Sequence, residues 1–275
     1  MRQYSVLMSV YIKENAIYFE KSIESMLKQS ISPTDFVIVC DGPLTEELNK
    51  VIEEKRKENP ELFQIIRIEK CGGLGNALAK GIQYCKNDLV ARMDSDDISA
   101  KERCEKQLQI FEMEDVEIVG SNILEFEGDI SNTKFERCVP KTDTEIKKFA
   151  RRRNPFNHPS VMLKKAAVLS AGNYQDYKGF EDYFLWIRML NQGMKGYNIQ
   201  ENLLYMRTDA GMYGRRGGFD YACRALKMRW KIYKTGYSSL EDFFVSGLGQ
   251  LIVAVVPLRL RKGLYEKILR KRRKL

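Results

Sequence analysis

Histidine is almost missing from this chain of 275 residues, in which His158 is the only one. A zinc site built on several histidines is therefore excluded, and a carboxylate is the expected general base of any proton transfer. The six cysteines are scattered, without the two-residue spacing of zinc or redox motifs. We expect them to be free thiols in a reducing compartment.

Long apolar runs are also missing. The longest, from Phe243 to Val256, is interrupted by polar and glycine residues and is shorter than the roughly 20 residues that a membrane-spanning helix needs. The first residues lead directly into an apolar run of strand length, which predicts no secretory signal. These features predict a cytoplasmic protein without a spanning helix.

Positive charge is nearly balanced in most of the chain and concentrated at its end. The net charge is +9, and residues 258–275 contribute +8 of it through nine basic residues and one acid. A nearly neutral body is not typical of nucleic-acid binding, so no nucleic-acid partner is expected. The apolar run before the basic segment is typical of a helix that lies on an anionic membrane surface, although a solvated basic tail is an alternative.

We therefore divide the chain into a catalytic unit, residues 1–240, and a basic amphipathic helical tail, residues 241–275. The tail would place the protein peripherally on the inner face of the cell membrane.

Strands and helices alternate along the first hundred residues, which predicts an α/β fold with parallel strands and right-handed crossovers. Strands are predicted at residues 4–11, 36–40 and 62–68 and in the apolar run that begins at residue 88. Helices are predicted at residues 17–29, from the cap Thr45 to about residue 58, and from the glycine turn to about residue 84. Residues 205–218 are predicted to be a loop and residues 219–274 to be helical. Ligands of such sheets bind beyond the carboxyl ends of the strands.

The fourth predicted strand ends in three carboxylates within four residues, Asp94, Asp96 and Asp97. Like charges this close repel one another and favour a bound cation, and hard oxygen ligands suit Mg²⁺ or Mn²⁺. The alternative is a solvated acidic turn that caps the following helix.

A glycine turn at residues 72–75 lies between the third strand and the third helix. With Asp94 about 20 residues further on, it is close to a dinucleotide-binding fingerprint, which would make the protein a nucleotide-sugar oxidoreductase. Leu78 occupies the third glycine position, however, and a ribose contact needs only one acid. The other two interpretations are a turn whose amides lie near a diphosphate and a turn with no ligand.

Seven stretches together resemble the inverting family-2 glycosyltransferases of the GT-A fold, in particular the amylovoran type that builds bacterial surface polysaccharides. The stretches are residues 5–15, 39–45, 73–78, 91–99, 158–162, 181–189 and 212–218. The resemblance implies a Rossmann-like nucleotide-diphospho-sugar transferase with a mixed, mostly parallel sheet and a C-terminal amphipathic helical extension. It also implies a UDP-sugar donor, Mn²⁺ or Mg²⁺ as cofactor, and a lipid-linked or growing glycan as acceptor.

The resemblance assigns roles residue by residue. Asp182 matches the catalytic base, Asp96 and Asp94 match the metal-binding Asp-x-Asp motif, and Asp209 stands where some relatives have a metal-binding histidine. Glu181 and His158 fall on the acceptor side. The residues implied to bind the nucleotide-sugar are Tyr11, Glu14, Asp41, Gly73, Asn76, Arg92, Asp94, Ser95, Arg207, Arg215 and Arg216.

Two departures from the family pattern are Ile12, where asparagine is common, and Pro43, where serine is usual. The chemistry is consistent with the resemblance, because sugar transfer needs a neutralised diphosphate and one carboxylate to deprotonate the acceptor hydroxyl. Two other functions stay open at this point, the oxidoreductase and a non-catalytic protein that binds glycan or membrane.

Overall fold

The computed structural model describes residues 2–208, 217–257 and 271–272. The strands in these ranges form one mixed sheet with helices on both faces.

The first half of the sheet consists of parallel strands in the order β3-β2-β1-β4. These are β1 (Tyr4–Tyr11), β2 (Asp35–Asp41), β3 (Phe63–Ile68) and β4 (Leu89–Asp94), with helices α1 (Ala16–Leu27), α2 (Glu46–Glu58) and α3 (Leu74–Tyr84) between them. Asn15 caps α1 and Thr45 caps α2 through their side-chain oxygens. The predicted strands and helices of this half are confirmed to within a few residues.

The second half of the sheet is mostly antiparallel. Strand β8 lies between β4 and β6 and is antiparallel to both, whereas β9 runs parallel to β6. The strands are β5 (Ile98–Ser99), β6 (Ile118–Phe126), β7 (Thr133–Arg137), β8 (Met162–Lys164), β9 (Gly196–Arg207) and β10 (Lys271–Arg272). The helices are α4 (Arg103–Met113), α5 (Asp143–Ala150), α6 (Lys165–Ser170), α7 (Glu181–Asn191), α8 (Phe219–Lys234) and α9 (Leu240–Val255), with a 3-10 turn at His158–Ser160.

Two predictions about the second half are wrong. Residues 205–207, predicted to begin a loop, end the long strand β9, and residues 271–272, predicted to be helical, pair with β7. Strand β9 lacks a clear apolar alternation because it carries polar residues such as Asn198 and Asn202. The side-chain NH2 group of Asn198 donates to the carbonyls of Pro140 and Pro155, so this buried donor is satisfied by contacts that sequence does not reveal.

The core has two layers, one on each face of the sheet. Leu7 of β1 packs into the layer that contains α3 and α7, whereas its neighbours Val6 and Met8 pack into the layer that contains α1, α2 and α4. Such alternation is expected of a strand that is covered on both faces. The sheet therefore holds the loops at its carboxyl edge on a rigid support.

Helices α8 and α9 pack against each other outside the sheet. The Arg229 side chain of α8 donates to Gln250 of α9, and the rings of Trp230 and Phe243 meet edge to face at 5.8 Å. In the described parts of the chain, none of the helices is both long and apolar enough to span a membrane.

The face of α9 that points away from the protein is apolar after the first turn. Phe244 is 62% exposed, Leu248 is 61% exposed and Ile252 is 52% exposed. Their spacing of four residues places them along one stripe of the helix. Surface helices of globular proteins normally carry charged or polar side chains on the face that points to solvent, so an apolar stripe on this face is unusual.

Candidate active site

The three carboxylates after β4 form one acidic cluster. One carboxylate oxygen from each of Asp94, Asp96 and Asp97 lies within 4.8 Å of the others. The cluster is held from behind, because Ser22 of α1 donates its hydroxyl to the carbonyl of Asp94 at 2.6 Å, and Arg92 forms an ion pair with the Asp94 carboxylate. The turn is therefore fixed before any ligand binds.

Crowding makes this cluster favourable for a cation. Burial, Asp94 and Glu14 raise the pKa of Asp96 to about 7. Burial and the charges of Asp96 and Asp94 also raise the pKa of Asp97, whose Oδ2 has no hydrogen-bond partner among the described residues. Three carboxylates whose oxygens lie this close together fit Mg²⁺ or Mn²⁺, and the buried Asp97 Oδ2 is available as a ligand because it has no hydrogen-bond partner among the described residues. Asp94, Asp96 and Asp97 are the residues that could hold it.

Glu14, at the carboxyl end of β1, is joined to the acidic cluster. Its Oε2 accepts a hydrogen bond of 2.7 Å from the hydroxyl of Ser95, and its charge contributes to the raised pKa of Asp96. Tyr11 ends β1 in register with Asp41, and its ring is partly exposed. The structure thus brings Tyr11, Glu14 and Ser95 to the same edge of the sheet.

Asp41 holds the glycine turn. Its carboxylate accepts hydrogen bonds from the amides of Gly72 at 2.7 Å and Gly73 at 2.9 Å. Gly73 has a φ of +87°, which only glycine adopts easily, and Asn76 donates to the carbonyl of Gly72 at 2.7 Å. The amides of Gly72 and Gly73 are thus bonded to Asp41, and a diphosphate near this turn stays a prediction.

Arg207 does not lie in a loop, as predicted, but ends β9. Its guanidinium packs between the rings of Tyr18 and Phe126, with the carbon Cζ 3.7 and 4.5 Å from the ring centroids. Its Nε donates to the carbonyl of Asp96, and its amide donates to the carboxylate of Asp97. Arg207 therefore supports the acidic cluster, and contact between Arg207 and a donor stays a prediction.

Asp182 lies in the first turn of α7, in a half-buried position. Its Oδ2 accepts a hydrogen bond of 2.6 Å from the side-chain amide of Asn154. Burial raises the pKa of Asp182, while hydrogen bonds and the charges of Arg137 and Arg92 oppose this shift. A carboxylate with a raised pKa is a stronger base than an exposed one, as a general base requires.

Glu181 is turned back towards the loop before α7. Its carboxylate accepts from the amide of Gly179 at 2.7 Å, and burial together with Asp182 raises the pKa of Glu181 to about 7. This contact fixes the start of the helix on which Asp182 is placed.

Arg92 connects the acidic cluster to Asp182 electrostatically. It is only 2% exposed and pairs with Asp94, and its charge opposes the rise in the pKa of Asp182. The pKa of the buried Tyr174 is raised by burial and by the charges of Asp182, Glu181 and Asp94. Asp94 and Asp182 thus both interact electrostatically with Arg92 and with Tyr174. Because Arg92 is buried, we expect it to act on a donor through Asp94.

His158 is buried and bonded to Tyr174, with 3.0 Å between its Nε2 and the tyrosine oxygen. Burial and the charge of Arg92 lower the pKa of His158 far below its ordinary value, so it is neutral. It therefore contacts the residues behind the site, and an acceptor contact stays a prediction.

Sequence reasoning missed two residues of this site. Asn154 holds Asp182, and the fully buried Arg103 donates to the carbonyls of Arg92 and Val161, which fixes β4 just before the acidic cluster. Asn154 lies four residues before His158, at the edge of a stretch that carries the resemblance, which is the only sequence signal for it. Of the predicted residues, Asp209, Arg215 and Arg216 lie outside the described residues.

The chain is similar in sequence to known glycosyltransferases. The family model described as "Glycosyl transferase family 2" matches residues 5–177. An Escherichia coli protein named UDP-Gal:alpha-D-GlcNAc-diphosphoundecaprenol beta-1,3-galactosyltransferase is 36% identical over 98% of this chain and 97% of its own length. The amylovoran biosynthesis glycosyltransferase AmsE of Erwinia amylovora is 34% identical over 96% of this chain and 98% of its own length.

Among solved structures, the chain is similar to a mannosyltransferase from Pyrobaculum calidifontis in complex with GDP-Man and Mn²⁺. The TM-score is 0.64 at 12% identity, with 91% of this chain and 69% of the other covered. At this identity the likeness establishes the fold, which is GT-A.

Proposed function

Because this chain belongs to family 2 of the glycosyltransferases and is itself a glycosyltransferase, we propose that it transfers a hexose from a UDP-sugar to a hydroxyl of a lipid-linked or growing surface polysaccharide. The observation that carries the proposal is the pairing of two carboxylate sites around Arg92. The acidic cluster would hold the donor, and Asp182 would activate the acceptor.

For the donor, the proposed contacts lie at the carboxyl ends of neighbouring strands. Tyr11, Glu14 and Asp41 would surround the nucleoside, and the acidic cluster would hold Mn²⁺ or Mg²⁺. When bound, such an ion neutralises the charge that develops on the leaving diphosphate. The name of the E. coli relative, which includes UDP-Gal, supports a UDP-sugar as donor.

For the chemistry, Asp182 would accept the proton of the acceptor hydroxyl. The acceptor oxygen then forms a bond to the anomeric carbon while the bond from that carbon to the diphosphate oxygen breaks, and the electron pair leaves with UDP. Attack on the face opposite the diphosphate inverts the anomeric carbon, as in inverting hydrolysis with a sugar in place of water. Asn154 would orient Asp182 during this step.

For the location, we propose that the protein lies on the inner face of the cell membrane through α9 and the basic residues after it. The exposed apolar stripe of α9 would enter the headgroup region, and the basic segment 258–275 would contact anionic lipids. Trp230 and Tyr233, whose rings contact Phe243, are residue types that favour this interface. A lipid-linked acceptor, as named for the E. coli relative, would then be within reach.

The donor proposal is tested by thermal shift with a panel of nucleotide-sugars, with and without Mn²⁺. We expect UDP-sugars to raise the melting temperature only when Mn²⁺ or Mg²⁺ is present, and Asp96→Asn to abolish the shift. Stabilisation by NAD instead would favour an oxidoreductase and contradict the proposal.

A further inference from the structure

A groove of about 540 Å³ lies along α5, away from the acidic cluster. Its lining includes four basic side chains, Lys141, Lys148, Arg152 and Arg153, and one acid, Glu145. The proposed donor site does not use any of these residues.

The positive charge of this groove is only partly compensated. The carboxylate of Glu145 accepts hydrogen bonds from the amides of Lys141 and Thr142 and completes the capping box of α5. Arg152 is paired with Glu241 and Asp242 of α9. Lys141 and Lys148 form no ion pair with any residue that the structure describes. The groove therefore keeps a surplus of positive charge, which favours a phosphorylated ligand.

One groove residue directly precedes the residue that holds the proposed base. Arg153 lines the groove, and the residue after it, Asn154, donates its hydrogen bond to Asp182. The Cα atoms of consecutive residues are only about 3.8 Å apart. Arg137, two residues before the groove residue Val139, is close enough to Asp182 for its charge to oppose the rise in the pKa of that carboxyl.

Another part of the groove lies next to the apolar helix. Arg152 donates to Asp242 at 2.5 Å and to Glu241 at 2.8 Å, both in the first turn of α9. The exposed stripe of α9 begins at Phe244, two residues after Asp242. The neighbouring groove residues Arg152 and Arg153 thus connect α9, through the ion pairs of Arg152, with Asn154, which holds the proposed base.

We propose that this groove binds the diphosphate of a lipid-linked acceptor, with Lys141 and Lys148 as its main phosphate contacts. This inference rests on the proposed function, in which the acceptor hydroxyl lies at Asp182. In an acceptor of this class the diphosphate is attached to the sugar that reacts, so it lies one sugar ring away from the base. The lipid would then continue towards α9.

The test is the double variant Lys141→Glu/Lys148→Glu with two acceptors. One is N-acetylglucosamine diphosphate with a short alkyl chain, and the other is the alkyl glycoside of the same sugar without phosphate. We expect the variant to raise KM for the diphosphate acceptor at least tenfold. KM for the glycoside and for the donor should change less than twofold. An equal rise for both acceptors, or no rise, would overturn the proposal.

The matched control is Arg56→Glu/Lys57→Glu, which reverses the charge of two exposed residues of α2 and should leave all three KM values unchanged. A second measurement separates this inference from the proposed function. If the wild type uses neither acceptor, titration with inorganic pyrophosphate in EDTA still tests the groove. Binding that the variant weakens at least tenfold supports it, and equal or absent binding refutes it.

A phospholipid headgroup is the other possible source of phosphate. Vesicles that contain anionic lipid but no acceptor distinguish the two sources. We expect the groove variant and the control variant to bind such vesicles equally. A selective loss by the groove variant would make the groove a headgroup contact and overturn its assignment to the acceptor.

Discussion

Asp182 and Asp96 are both carboxylates with raised pKa values, but their surroundings suit them to different tasks. Asp96 lies beside Asp94 and Glu14, so further negative charge is unfavourable there unless a cation binds. Asp182 has Asn154 as a neutral hydrogen-bond donor and feels the positive charges of Arg137 and Arg92. It can therefore ionise without a metal and still accept a proton.

Replacement of the proposed base should abolish transfer without disturbing the donor site. For Asp182→Asn we expect kcat to fall by about 10²- to 10⁴-fold, the usual contribution of a general base, while the thermal shift by UDP-sugar and Mn²⁺ persists. Asp176→Asn, at an exposed acid in the loop before α7, is the control and should keep full activity. Unchanged transfer by Asp182→Asn would remove Asp182 from the mechanism.

Glu181 predicts a pH dependence of stability. Its pKa in the folded protein is about 7, above the value of 4.5 for the free side chain, so the folded state binds the proton more tightly than the unfolded state. The stability that this proton provides is complete below pH 4.5 and is lost as the pH rises through 7. The loss corresponds to about 3 kcal/mol.

Glu181→Gln should remove this dependence. Urea unfolding between pH 4.5 and 8 should show a smaller decline in the free energy of unfolding for the variant than for the wild type. If both decline equally, the carboxyl of Glu181 is not protonated in the folded protein.

How far single residues could be predicted depends on what makes them functional. The acidic cluster is visible in sequence because three carboxylates follow a buried strand. Asp182 is identified only through the resemblance, since an acid in the first turn of a helix is common for electrostatic reasons alone. Asn154 and Arg103 act through contacts with residues that are distant in sequence, so no local pattern reveals them.

At the level of elements, helix α3 and the loop before α7 approach each other at Gly75. A Cβ atom at this position would lie 2.8 Å from the carbonyl oxygen of Gln175 and 3.2 Å from the Cβ of Glu181. The glycine therefore allows α3 to pack against the loop before α7 and against the start of α7, which carries the proposed base.

Gly75→Ala should separate these two elements. We expect a loss of about 1–3 kcal/mol in the free energy of unfolding, because the added methyl group overfills a packed contact. Gly249→Ala in α9 is the matched control. Nothing lies within 4 Å of its added Cβ, so it should gain about 0.5–1 kcal/mol from better helix propensity. Chemical unfolding measures both, and a stabilising Gly75→Ala would contradict the close contact.

Strands and helices can be predicted from sequence where their buried positions are occupied by apolar residues. Strand β2 is buried along its whole length, and its run from Phe36 to Cys40 is apolar, so sequence identifies it. Strand β9 was missed because the polar residues Asn198, Gln200 and Asn202 bond to carbonyls and a carboxylate of other segments. The sheet therefore continues beyond the parallel half that the alternation of elements predicts.

At the level of the whole molecule, the basic residues follow the apolar stripe of α9 directly in the sequence. Each basic residue near an anionic membrane surface contributes about 1 kcal/mol to the free energy of membrane binding. The apolar stripe contributes further binding energy through the apolar area that it would bury. The rest of the chain is nearly neutral, which favours one orientation on the membrane.

The double variant Phe244→Ser/Leu248→Ser should bind anionic vesicles at least fivefold less in flotation than the wild type, because it removes two apolar anchors. Met113→Ser/Leu169→Ser is the control, since Met113 is 78% exposed and Leu169 is 39% exposed but both lie on other helices. Equal binding by all three proteins would refute the membrane surface. A monomer–dimer change in light scattering would assign the stripe to a second copy instead.

The exposed thiol of Cys71 offers a place for an optical probe beside the proposed donor site. It lies 3.2 Å from the carboxylate of Asp41, whose hydrogen bond raises the pKa of Cys71, so alkylation should be slow at neutral pH and accelerate in alkaline buffer. A small fluorophore attached there would sit beside the predicted nucleoside contacts. Its emission could follow donor arrival and departure in real time, without a radioactive sugar or an acceptor in the assay.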